Sequence, residues 1–377
     1  MIVMKIKSSK ISRRKFLQLS SATAAFALVN SKYSAQQFAR NLNQMESWPS
    51  DTLLGRNCKG GTINMRNGPN ENSSIVKPLI EDTVVVWEKE VVGEAPGGLV
   101  SRRWVQTPEG YVYAPLVQPC RSIINTPVTS LPNNSAEIGP GRWAEVTVPF
   151  VDLTLDNPPP RSPWVRAVEH PRLYYSQIVW INQIRDTGNG GIQYRVEERY
   201  AYGDIFWADA KAFRILTDDD FTPISLEVTD KKVFVNLTYQ YLQCLESGRE
   251  VYYCRCSTGA KFDAAGNPVD KWSTPPGPHQ INRKMASMHM SGGNMESGYD
   301  TPGIGWVSLF AEGGVSIHST FWHNDFGTPR SHGCVNVLPE DAKWVFRWTQ
   351  PIITYDPGDL TVQWPEGGTI IDVEEST

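Results

Sequence analysis

The sequence predicts a mainly β protein that contains more than one domain. Its 377 residues are 40% hydrophobic and 20% charged, which is the composition of a folded protein that is too long for one ordinary core. Thirteen tryptophans and 27 prolines favour short strands joined by turns over a helical bundle. Two or three domains are therefore expected.

The first thirty residues have the features of an export signal. Six basic and no acidic side chains occur in residues 1–15, and a moderately apolar stretch follows. The run SRRKFL at 12–17 fits the twin-arginine motif, and AFA at 25–27 offers small residues for cleavage. The apolar stretch is shorter than the roughly 20 residues that span a bilayer, which favours export over an anchor. The predicted location is the periplasm, the cell wall or the medium, with peripheral membrane or cell-wall association left open; a basic cytosolic tail is the alternative.

The charge of the chain bears on its partners. The formal net charge is -4 at pH 7, and removal of residues 1–30 would make the remainder more negative still. Because the phosphate backbone repels an acidic protein, no nucleic acid partner is expected.

Export also affects the interpretation of the six cysteines, since disulfides persist outside the cytosol. Cys58 and Cys120 bracket a compact stretch of sequence, so a disulfide between them is predicted. A tight hairpin turn would place Cys254 and Cys256 on the opposite strand face from Cys244. No bridge among these three is predicted, and core positions are the simplest interpretation.

Residues 52–120 have the pattern of a small barrel. Short apolar segments at 83–87, 103–106 and 110–114 alternate with turns rich in Gly and Pro. The runs NMRNGP at 64–69 and GYV at 110–112 are similar to the opening and closing segments of bacterial SH3-like domains. This resemblance implies a module that binds peptide or glycan, with a passive spacer as the alternative.

A weak repeat of the same pattern follows. Segments at 177–180, 193–196 and 203–208 repeat the apolar segments of the first module in order and approximate spacing. A second SH3-like β module is therefore predicted at 145–222, after a linker at 121–144. The acidic run at 218–220 is interpreted as solvated surface, because no loop of alternating oxygen ligands surrounds it.

Residues 225–377 are predicted to form a β-rich domain with few helices. Segments at 232–236, 241–245 and 251–256 have the composition of consecutive antiparallel strands. The stretch 285–306, rich in Met, Gly and Ser, is interpreted as a substrate flap, with a disordered insertion as the alternative. After Pro339, acidic residues followed by a one-sided apolar pattern predict a packing helix.

The residues of greatest chemical interest lie between 316 and 336. This stretch holds three of the six histidines together with Cys334. A cysteine attacks as the thiolate, so a catalytic one needs a base or a positive environment that lowers its pKa. The alternation around His318 predicts a strand that carries this histidine to a sheet edge. Every histidine precedes Cys334, so the base must come from upstream, which excludes the papain order.

This stretch resembles the signature of the L,D-transpeptidases, enzymes of bacterial cell walls that have a YkuD-like catalytic domain. Their signature is a histidine followed downstream by Ser/Thr-His-Gly-Cys, an apolar residue and Asn or Arg. Here it is SHGCVN at 331–336, with His318 upstream, and TPPG at 274–277 matches the family's Thr-Pro-Xaa-Gly loop. The expected architecture is therefore one or two small SH3-like barrels followed by a YkuD-like catalytic domain.

The resemblance implies a role for each matching residue. Cys334 is expected to be the nucleophile and His318 the general base, with the backbone carbonyl of Ser319 orienting the imidazole. The backbone amides of Gly333 and Cys334 are expected to form the oxyanion hole. Further residues expected in the same pocket, as supporting or substrate-binding groups, are His332, Asn336, Ser331, Trp322, His323 and Tyr299.

The reaction implied by the resemblance is formation of 3-3 cross-links between peptidoglycan stem peptides through a thioester acyl-enzyme, without metal or cofactor. Carbapenem β-lactams are implied as inhibitors that acylate the same cysteine. Three alternatives stay open: an L,D-carboxypeptidase that uses water as the acceptor, a non-catalytic cell-wall binding protein, and a zinc hydrolase. The zinc ligands in that last case would be His318, His323, His332 and Cys334.

Overall fold

The computed structural model describes residues 45–132, 139–188, 190–198, 201–263, 266–292, 299–363 and 366–376. The predicted export signal at 1–30 lies outside the described residues. Residues 48–377 form one compact unit. Within the described ranges the chain is mainly β, as predicted, and no helix there combines the length and apolarity needed to cross a membrane.

The first region holds eight short strands in two antiparallel sheets, ordered β4-β1-β8 and β3-β2-β7-β6-β5. The strands predicted at 103–106 and 110–114 are present as β6 and β7. Both sheets pack around buried Met65, Trp87 and Val105. The resemblance to an SH3-like domain stays a prediction. The strands are β1 (Leu54–Asn57), β2 (Ile63–Arg66), β3 (Ile75–Leu79), β4 (Val84–Val86), β5 (Lys89–Val92), β6 (Arg103–Thr107), β7 (Gly110–Tyr113) and β8 (Val117–Cys120), with a 3₁₀ turn at Ala114–Leu116.

The predicted disulfide between Cys58 and Cys120 is wrong, because both thiols are free. The register of β1 against β8 gives the reason: Cys120 lies opposite Leu54, whereas Cys58 follows Asn57 at the other end of the pair. Four residues along a strand span roughly 13 Å. Bridged cysteines need Cα atoms within about 7 Å of each other.

The second region forms a six-stranded sheet, ordered β11-β15-β14-β13-β9-β16, and a two-stranded sheet of β10 and β12. The strands predicted at 177–180, 193–196 and 203–208 correspond to β13, β14 and β15. Whether this region is SH3-like stays a prediction. Its elements are β9 (Arg142–Val146), β10 (Phe150–Asp152), β11 (Thr154–Leu155), α1 (Pro163–Ala167), β12 (Arg172–Tyr174), β13 (Ile178–Asp186), β14 (Ile192–Glu197), β15 (Ile205–Asp209) and β16 (Phe213–Ile215), with 3₁₀ turns at Ala210–Ala212 and Asp218–Phe221.

Much of the predicted linker at 121–144 belongs to this second region. Residues 142–144 are part of β9, which lies between β13 and β16. Before them, the amide of Ile123 donates to the carbonyl of Thr147 at 2.8 Å, and that of Asn125 to Lys211 at 2.9 Å. The Asn-Ser run at 133–138 lies outside the described residues.

The third region contains two five-stranded sheets, ordered β19-β18-β17-β26-β20 and β24-β23-β22-β21-β25. The strands predicted at 232–236, 241–245 and 251–256 are confirmed as β17, β18 and β19, and the helix after Pro339 is α2. The elements are β17 (Lys231–Asn236), β18 (Tyr241–Glu246), β19 (Arg249–Arg255), β20 (Gly277–Gln280), β21 (Arg283–Gly292), β22 (Tyr299–Ala311), β23 (Val315–Ser319), β24 (Val335–Val337), α2 (Pro339–Trp348), β25 (Asp359–Thr361) and β26 (Ile370–Glu374), with 3₁₀ turns at Asp270–Trp272 and Glu312–Gly314.

One hydrophobic core extends through the second and third regions. The apolar face of α2, with Ala342, Val345 and Phe346, packs beside Ile317 of β23 and Val335 of β24. Side chains of the second region, such as those of Trp143 and Trp180, belong to the same buried cluster. The strands that carry the signature are therefore held by residues far from it in sequence.

Cys244 of β18, Cys254 of β19 and Cys256, which directly follows β19, are free and buried in this core, as the simplest interpretation had it. The predicted strand faces need one correction. A bulge after Cys244 pairs this residue with Tyr252, and Cys254 lies opposite Leu242. An extra residue in one strand moves all later side chains to the other face. Cys254 consequently shares the core face with Cys244.

Candidate active site

Two parallel strands bring Cys334 and His318 together. In the pairing of β23 with β24, Ile317 lies opposite Val335 and His318 opposite Asn336. The same register sets Cys334 beside Ser316, and the two side chains meet with Sγ 3.7 Å from Oγ. Because residues two apart in a strand share a face, Ser316 and His318 both flank the thiol. The predicted strand around His318 is confirmed.

Local hydrogen bonds fix the loop before β24. Gly333 has φ +121°, and an added Cβ there would lie 3.2 Å from a methyl carbon of Val315. The hydroxyl of Ser331 donates to the Cys334 carbonyl at 2.5 Å, and the hydroxyl of Thr274 donates to the Gly333 carbonyl at 2.7 Å. The TPPG segment recognised in the sequence thus holds the loop that presents the thiol.

The two amides predicted to form the oxyanion hole belong to the loop that carries the thiol. The amide of Gly333 donates to Oγ of Ser331 at 3.1 Å. The role of the Gly333 and Cys334 amides as oxyanion donors stays a prediction.

The imidazole of His318 is oriented as the family resemblance implied. Its Nδ1 lies 2.8 Å from the carbonyl oxygen of Ser319. A carbonyl only accepts, so the proton of the neutral ring is at Nδ1 and the lone pair of Nε2 is left for the thiol. Burial raises the pKa of the Cys334 thiol, but the hydrogen bond and charge of His318 and contacts with Ser316 outweigh it. The net result is a pKa below the ordinary cysteine value.

A cavity of about 190 Å³ opens over the thiol. Five of the predicted pocket residues line it together with Cys334 and His318: Tyr299, Trp322, Ser331, His332 and Asn336. The ring of His332 is exposed and lies 4.5 Å from the ring of Trp272 and 5.3 Å from that of Tyr299, measured between centroids. His332 therefore lines the cavity at an exposed position, beside these two rings.

His323 does not line this cavity, which corrects its predicted role in substrate binding. The side chain is 6% exposed, and its Nδ1 accepts from the amide of Asp325 at 3.1 Å. Its Nε2 faces the side-chain amide of Asn336 at 3.0 Å. Burial, with smaller effects from Arg330 and His318, lowers the pKa of His323 to about 3, so the ring is neutral. His323 therefore contacts the side chain of Asn336 on the side away from the cavity.

Several lining residues were not singled out from the sequence, namely Met290, Thr301, Ile304 and Arg330. Arg330 brings a positive charge to the wall and is held by Asp325, with Nη1 2.8 Å from Oδ2. Arg330 directly precedes the SHGCVN motif, and this position could have predicted that it lies near Cys334. Ser316 was also missed, although the alternation that selected His318 puts both on one face.

Three of the four side chains considered as zinc ligands, those of His318, His323 and Cys334, have hydrogen-bond partners within the protein. Both ring nitrogens of His323 are engaged, one by Asp325 and the other by Asn336. In the part of the chain that the structure describes, no group of three or more His, Cys, Asp or Glu side chains is arranged to hold a metal ion. The arrangement at Cys334 is that of an oriented thiol and base.

Residues 230–371 match the family model described as the L,D-transpeptidase catalytic domain, YkuD. This match falls within the predicted domain at 225–377. No curated protein matches the sequence.

Solved structures that resemble the chain include three L,D-transpeptidases. A mutant enzyme from Enterococcus faecium is 19% identical with a TM-score of 0.29, and the match covers 39% of this chain and 50% of that one. The enzyme from Mycobacterium smegmatis is 16% identical with a TM-score of 0.29, covering 49% and 90%. A third, in complex with imipenem, is 18% identical with a TM-score of 0.29, covering 52% and 90%. The chain thus spans about half the length of the Enterococcus faecium protein. From the family match, this chain contains an L,D-transpeptidase catalytic domain of the YkuD family at residues 230–371.

Proposed function

We propose that this domain catalyses cysteine-dependent L,D-transpeptidation, joining peptidoglycan stem peptides by 3-3 cross-links. The single observation that supports this most is the pairing of Cys334 with His318 on adjacent parallel strands, with a thiol pKa below the ordinary value. A thiolate beside an imidazolium is a strong nucleophile that carries its own proton donor.

In the first step Nε2 of His318 accepts the proton of the Cys334 thiol, and the thiolate attacks the carbonyl carbon of the diamino acid that precedes the terminal D-alanine of a donor stem. The Cys334 amide donates to the oxyanion, which develops in a partly buried site where hydrogen bonds are strong. His318 gives its Nε2 proton to the departing amine of D-alanine. A C–S bond has formed, the C–N bond has broken, and a thioester remains.

Arg330 is the group best suited to hold the terminal carboxylate of the donor. It lines the Cys334 cavity, and its side chain is 42% exposed while Asp325 holds one of its nitrogens. A guanidinium matches the planar geometry of a carboxylate. On this proposal the guanidinium of Arg330 binds the carboxylate of the D-alanine that leaves.

The test of the proposed function is the intact mass of the full chain after incubation with a carbapenem. We expect one adduct on the wild-type chain and none on Cys334→Ala. The solved relative in complex with imipenem makes this compound the natural probe. Absence of an adduct on folded, reduced protein would exclude the acyl-transfer assignment. Cys254→Ala is the matched control, since it removes a buried thiol outside the cavity and should keep the adduct.

We also propose that the chain acts outside the cytosol, where peptidoglycan is found, and that residues 1–30 direct its export by the twin-arginine route. The supporting pattern is the basic SRRKFL run followed by an apolar stretch. Replacement of Arg13 and Arg14 by Lys should retain the protein in the cytosol, as measured by fractionation. Export at an unchanged level would contradict this route.

A further inference from the structure

Arg56 lies on β1, between β4 and β8, and its side chain points away from the core of the first region. The neighbouring Gly55 faces that core, since an added Cβ there would lie 2.4 Å from a methyl carbon of Val117. Successive side chains of a strand point to opposite faces, so Arg56 points out of the first region. It is nonetheless only 3% exposed. A buried guanidinium needs partners, and those of Arg56 come from all three regions.

Two acceptors within the first region fix the orientation of the Arg56 guanidinium. Nε and Nη2 both donate to Oε1 of Gln118, at 2.9 and 2.7 Å, and Nη1 donates to Oδ1 of Asp82 at 2.7 Å. The other oxygen of Asp82 accepts from Arg172 of the second region at 2.8 Å, and Arg172 also pairs with Asp152 at 2.5 Å. Two guanidinium groups therefore face two carboxylates. The charges of this cluster balance, which is the condition for burying them.

A further hydrogen bond of Arg56 reaches the third region. Nη2 donates to the backbone carbonyl of Phe321 at 2.9 Å. The guanidinium also lies 3.9 Å from the centroid of the Tyr174 ring, and that ring is stacked on the ring of Phe321 with centroids 5.5 Å apart. The planar fork of an arginine can serve several acceptors in fixed directions at once. Arg56 thus holds the backbone of Phe321 directly and its ring through Tyr174.

Phe321 directly precedes Trp322 in the connection between β23 and β24. The ring of Trp322 meets the ring of Phe321 edge-on, with centroids 5.1 Å apart, and lies 5.8 Å from the ring of His318. Trp322 also lines the cavity over Cys334. A displacement of Phe321 would therefore move one wall of the cavity and the ring that lies beside the base.

The same connection is held by the first region at a second point, Asn324. Its backbone amide donates to the carbonyl of Pro115 at 3.1 Å, and its side-chain amide donates to the carbonyl of Ala114 at 3.3 Å. In the opposite direction, Nη1 of Arg103 donates to the carbonyl of Asn324 at 3.2 Å. The segment that carries Trp322 is thus attached on both sides to a part of the chain outside the matched domain.

We propose that Arg56 is a positioning residue for the reaction at Cys334, and that the first region completes the active site by fixing Trp322 over the cavity. This inference rests on the proposed function. It gives the first region a part in the reaction besides the two roles considered from the sequence, a ligand-binding module and a spacer. A wall that is fixed in advance lowers the entropic cost of ordering it around each substrate. A displacement of about 1 Å at a positioning group can cost about 10²-fold in rate.

The experiment compares two probes of Cys334 on the full-length chain. Iodoacetamide is small and needs only the thiolate, whereas a carbapenem must also fit against Trp322 and the other walls of the cavity. Both rates are read by mass spectrometry, with peptide mapping to assign the alkylated cysteine. Alkylation of the buried Cys254 reports loss of folding.

Arg56→Met removes the hydrogen bond to Phe321, while Asp82 keeps Arg172 as its partner. Arg172→Met is the matched control, because it removes the other guanidinium of the same cluster and leaves the bond between Arg56 and Phe321 intact. Arg56→Lys is the conservative variant, since an ammonium keeps the charge beside Asp82 but lacks the planar fork.

In Arg56→Met we expect carbapenem acylation to slow by about tenfold or more, with alkylation of Cys334 near the wild-type rate, because the thiol and its base are untouched. Arg56→Lys should acylate at an intermediate rate, and Arg172→Met should match the wild type with both probes. A purely structural role of Arg56 would not separate the two probes.

Carbapenem acylation of Arg56→Met at the wild-type rate, or an equal slowing in Arg172→Met, would overturn this inference. If Arg56→Met exposes Cys254 to alkylation, Arg56→Lys decides, and wild-type acylation in that variant would overturn the inference as well. A wild-type chain that forms no adduct would instead overturn the proposed function, and this inference with it.

Discussion

Nδ1 of His318 lies 2.8 Å from the carbonyl oxygen of Ser319, the next residue in the chain. The orienting group of the base is thus part of the backbone of β23. A substitution of the Ser319 side chain leaves this carbonyl in place, whereas the carboxylate that orients histidine in many triads is lost when its residue is replaced. The hydroxyl of Ser319 has a different partner, since it accepts from the amide of Gly305 at 3.1 Å.

Substitutions at Ser319 and at His318 should therefore differ sharply. Ser319→Ala removes the hydroxyl and leaves the carbonyl in place, so we expect adduct formation with a carbapenem to slow by less than about tenfold. His318→Gln removes the proton acceptor, and the loss expected for a missing general base is about 10²–10⁴-fold. Equal losses in the two variants would show that the hydroxyl, and not the carbonyl, orients the base.

The pH dependence of Cys334 reactivity should report the influence of His318. His318 and Ser316 hold the pKa of the thiol below its ordinary value in spite of burial, so alkylation by iodoacetamide should remain fast below that value. In His318→Gln burial is no longer offset, and the inflection should move to higher pH. The measurement is the alkylation rate by intact mass from pH 5 to pH 10. An inflection that does not move would contradict the assigned pairing.

His323 should act on substrate binding through Asn336. His323→Leu removes the partner 3.0 Å from the Asn336 amide and leaves that amide without support. We expect a higher KM for stem peptides and an unchanged pH inflection of Cys334 alkylation, because His318 is untouched. Asn336→Ala should raise KM to a similar value. In the double variant His323→Leu/Asn336→Ala, KM should be little higher than in either single variant. Additive effects of the two substitutions would disprove the linkage.

Arg330 should discriminate substrates by their terminal carboxylate. Hydrogen bonds to charged groups contribute roughly 1.5–3 kcal/mol, so Arg330→Ala should lower kcat/KM by about 10- to 100-fold. A donor peptide with an amidated C-terminus should lose nothing further in the variant. Arg330→Lys keeps the charge and should recover part of the rate. An equal loss on both peptides would assign Arg330 a merely structural role.

Asp220 should stabilise the fold in a pH-dependent way. Burial raises the pKa of Asp220, but ion pairs with Arg214 at 3.0 Å and Lys343 at 2.5 Å, with a smaller contribution from the amide of Thr217, lower it to about 2. Since the folded pKa lies below the unfolded one, the stabilisation is present above about pH 4 and is lost as pH falls through about 2. Asp220→Asn should therefore cost on the order of 2 kcal/mol at pH 7.

Urea unfolding at several pH values measures this effect. The difference between wild type and Asp220→Asn should be greatest near neutral pH and should shrink toward pH 3. Asp219→Asn, at an exposed neighbouring position, is the matched control and should change little at any pH. A constant difference across the pH range would contradict an ionic origin.

The same residue marks a limit of local sequence patterns. The acidic run at 218–220 was interpreted as solvated surface, and Asp218 and Asp219 are indeed exposed. Asp220 is buried because Lys343, more than a hundred residues later, comes to it on α2. An acidic triplet gives no sign of a cation supplied by a distant helix.

The sequence by itself determined those features that depend on residues close together in the chain. The alternation of apolar and polar residues predicted the strand that carries His318. The motif SHGC placed Cys334 directly before the following strand. The spacing of apolar residues after Pro339 predicted the helix α2. The orienting carbonyl of Ser319 is adjacent to its histidine, so it too needed no tertiary information. Strand periodicity and helix spacing are local properties, and for this reason they are legible in a single chain.

Only the tertiary structure decided which distant groups meet. The register of β1 against β8 separates Cys58 from Cys120, and burial turns His323 from a pocket residue into a support for Asn336. A cavity of about 270 Å³ is lined jointly by Trp164 of α1, Tyr174 of β12 and Asp300 of β22, which are far apart in sequence. Register and packing depend on pairings between residues far apart in the chain, and no local pattern encodes their partners.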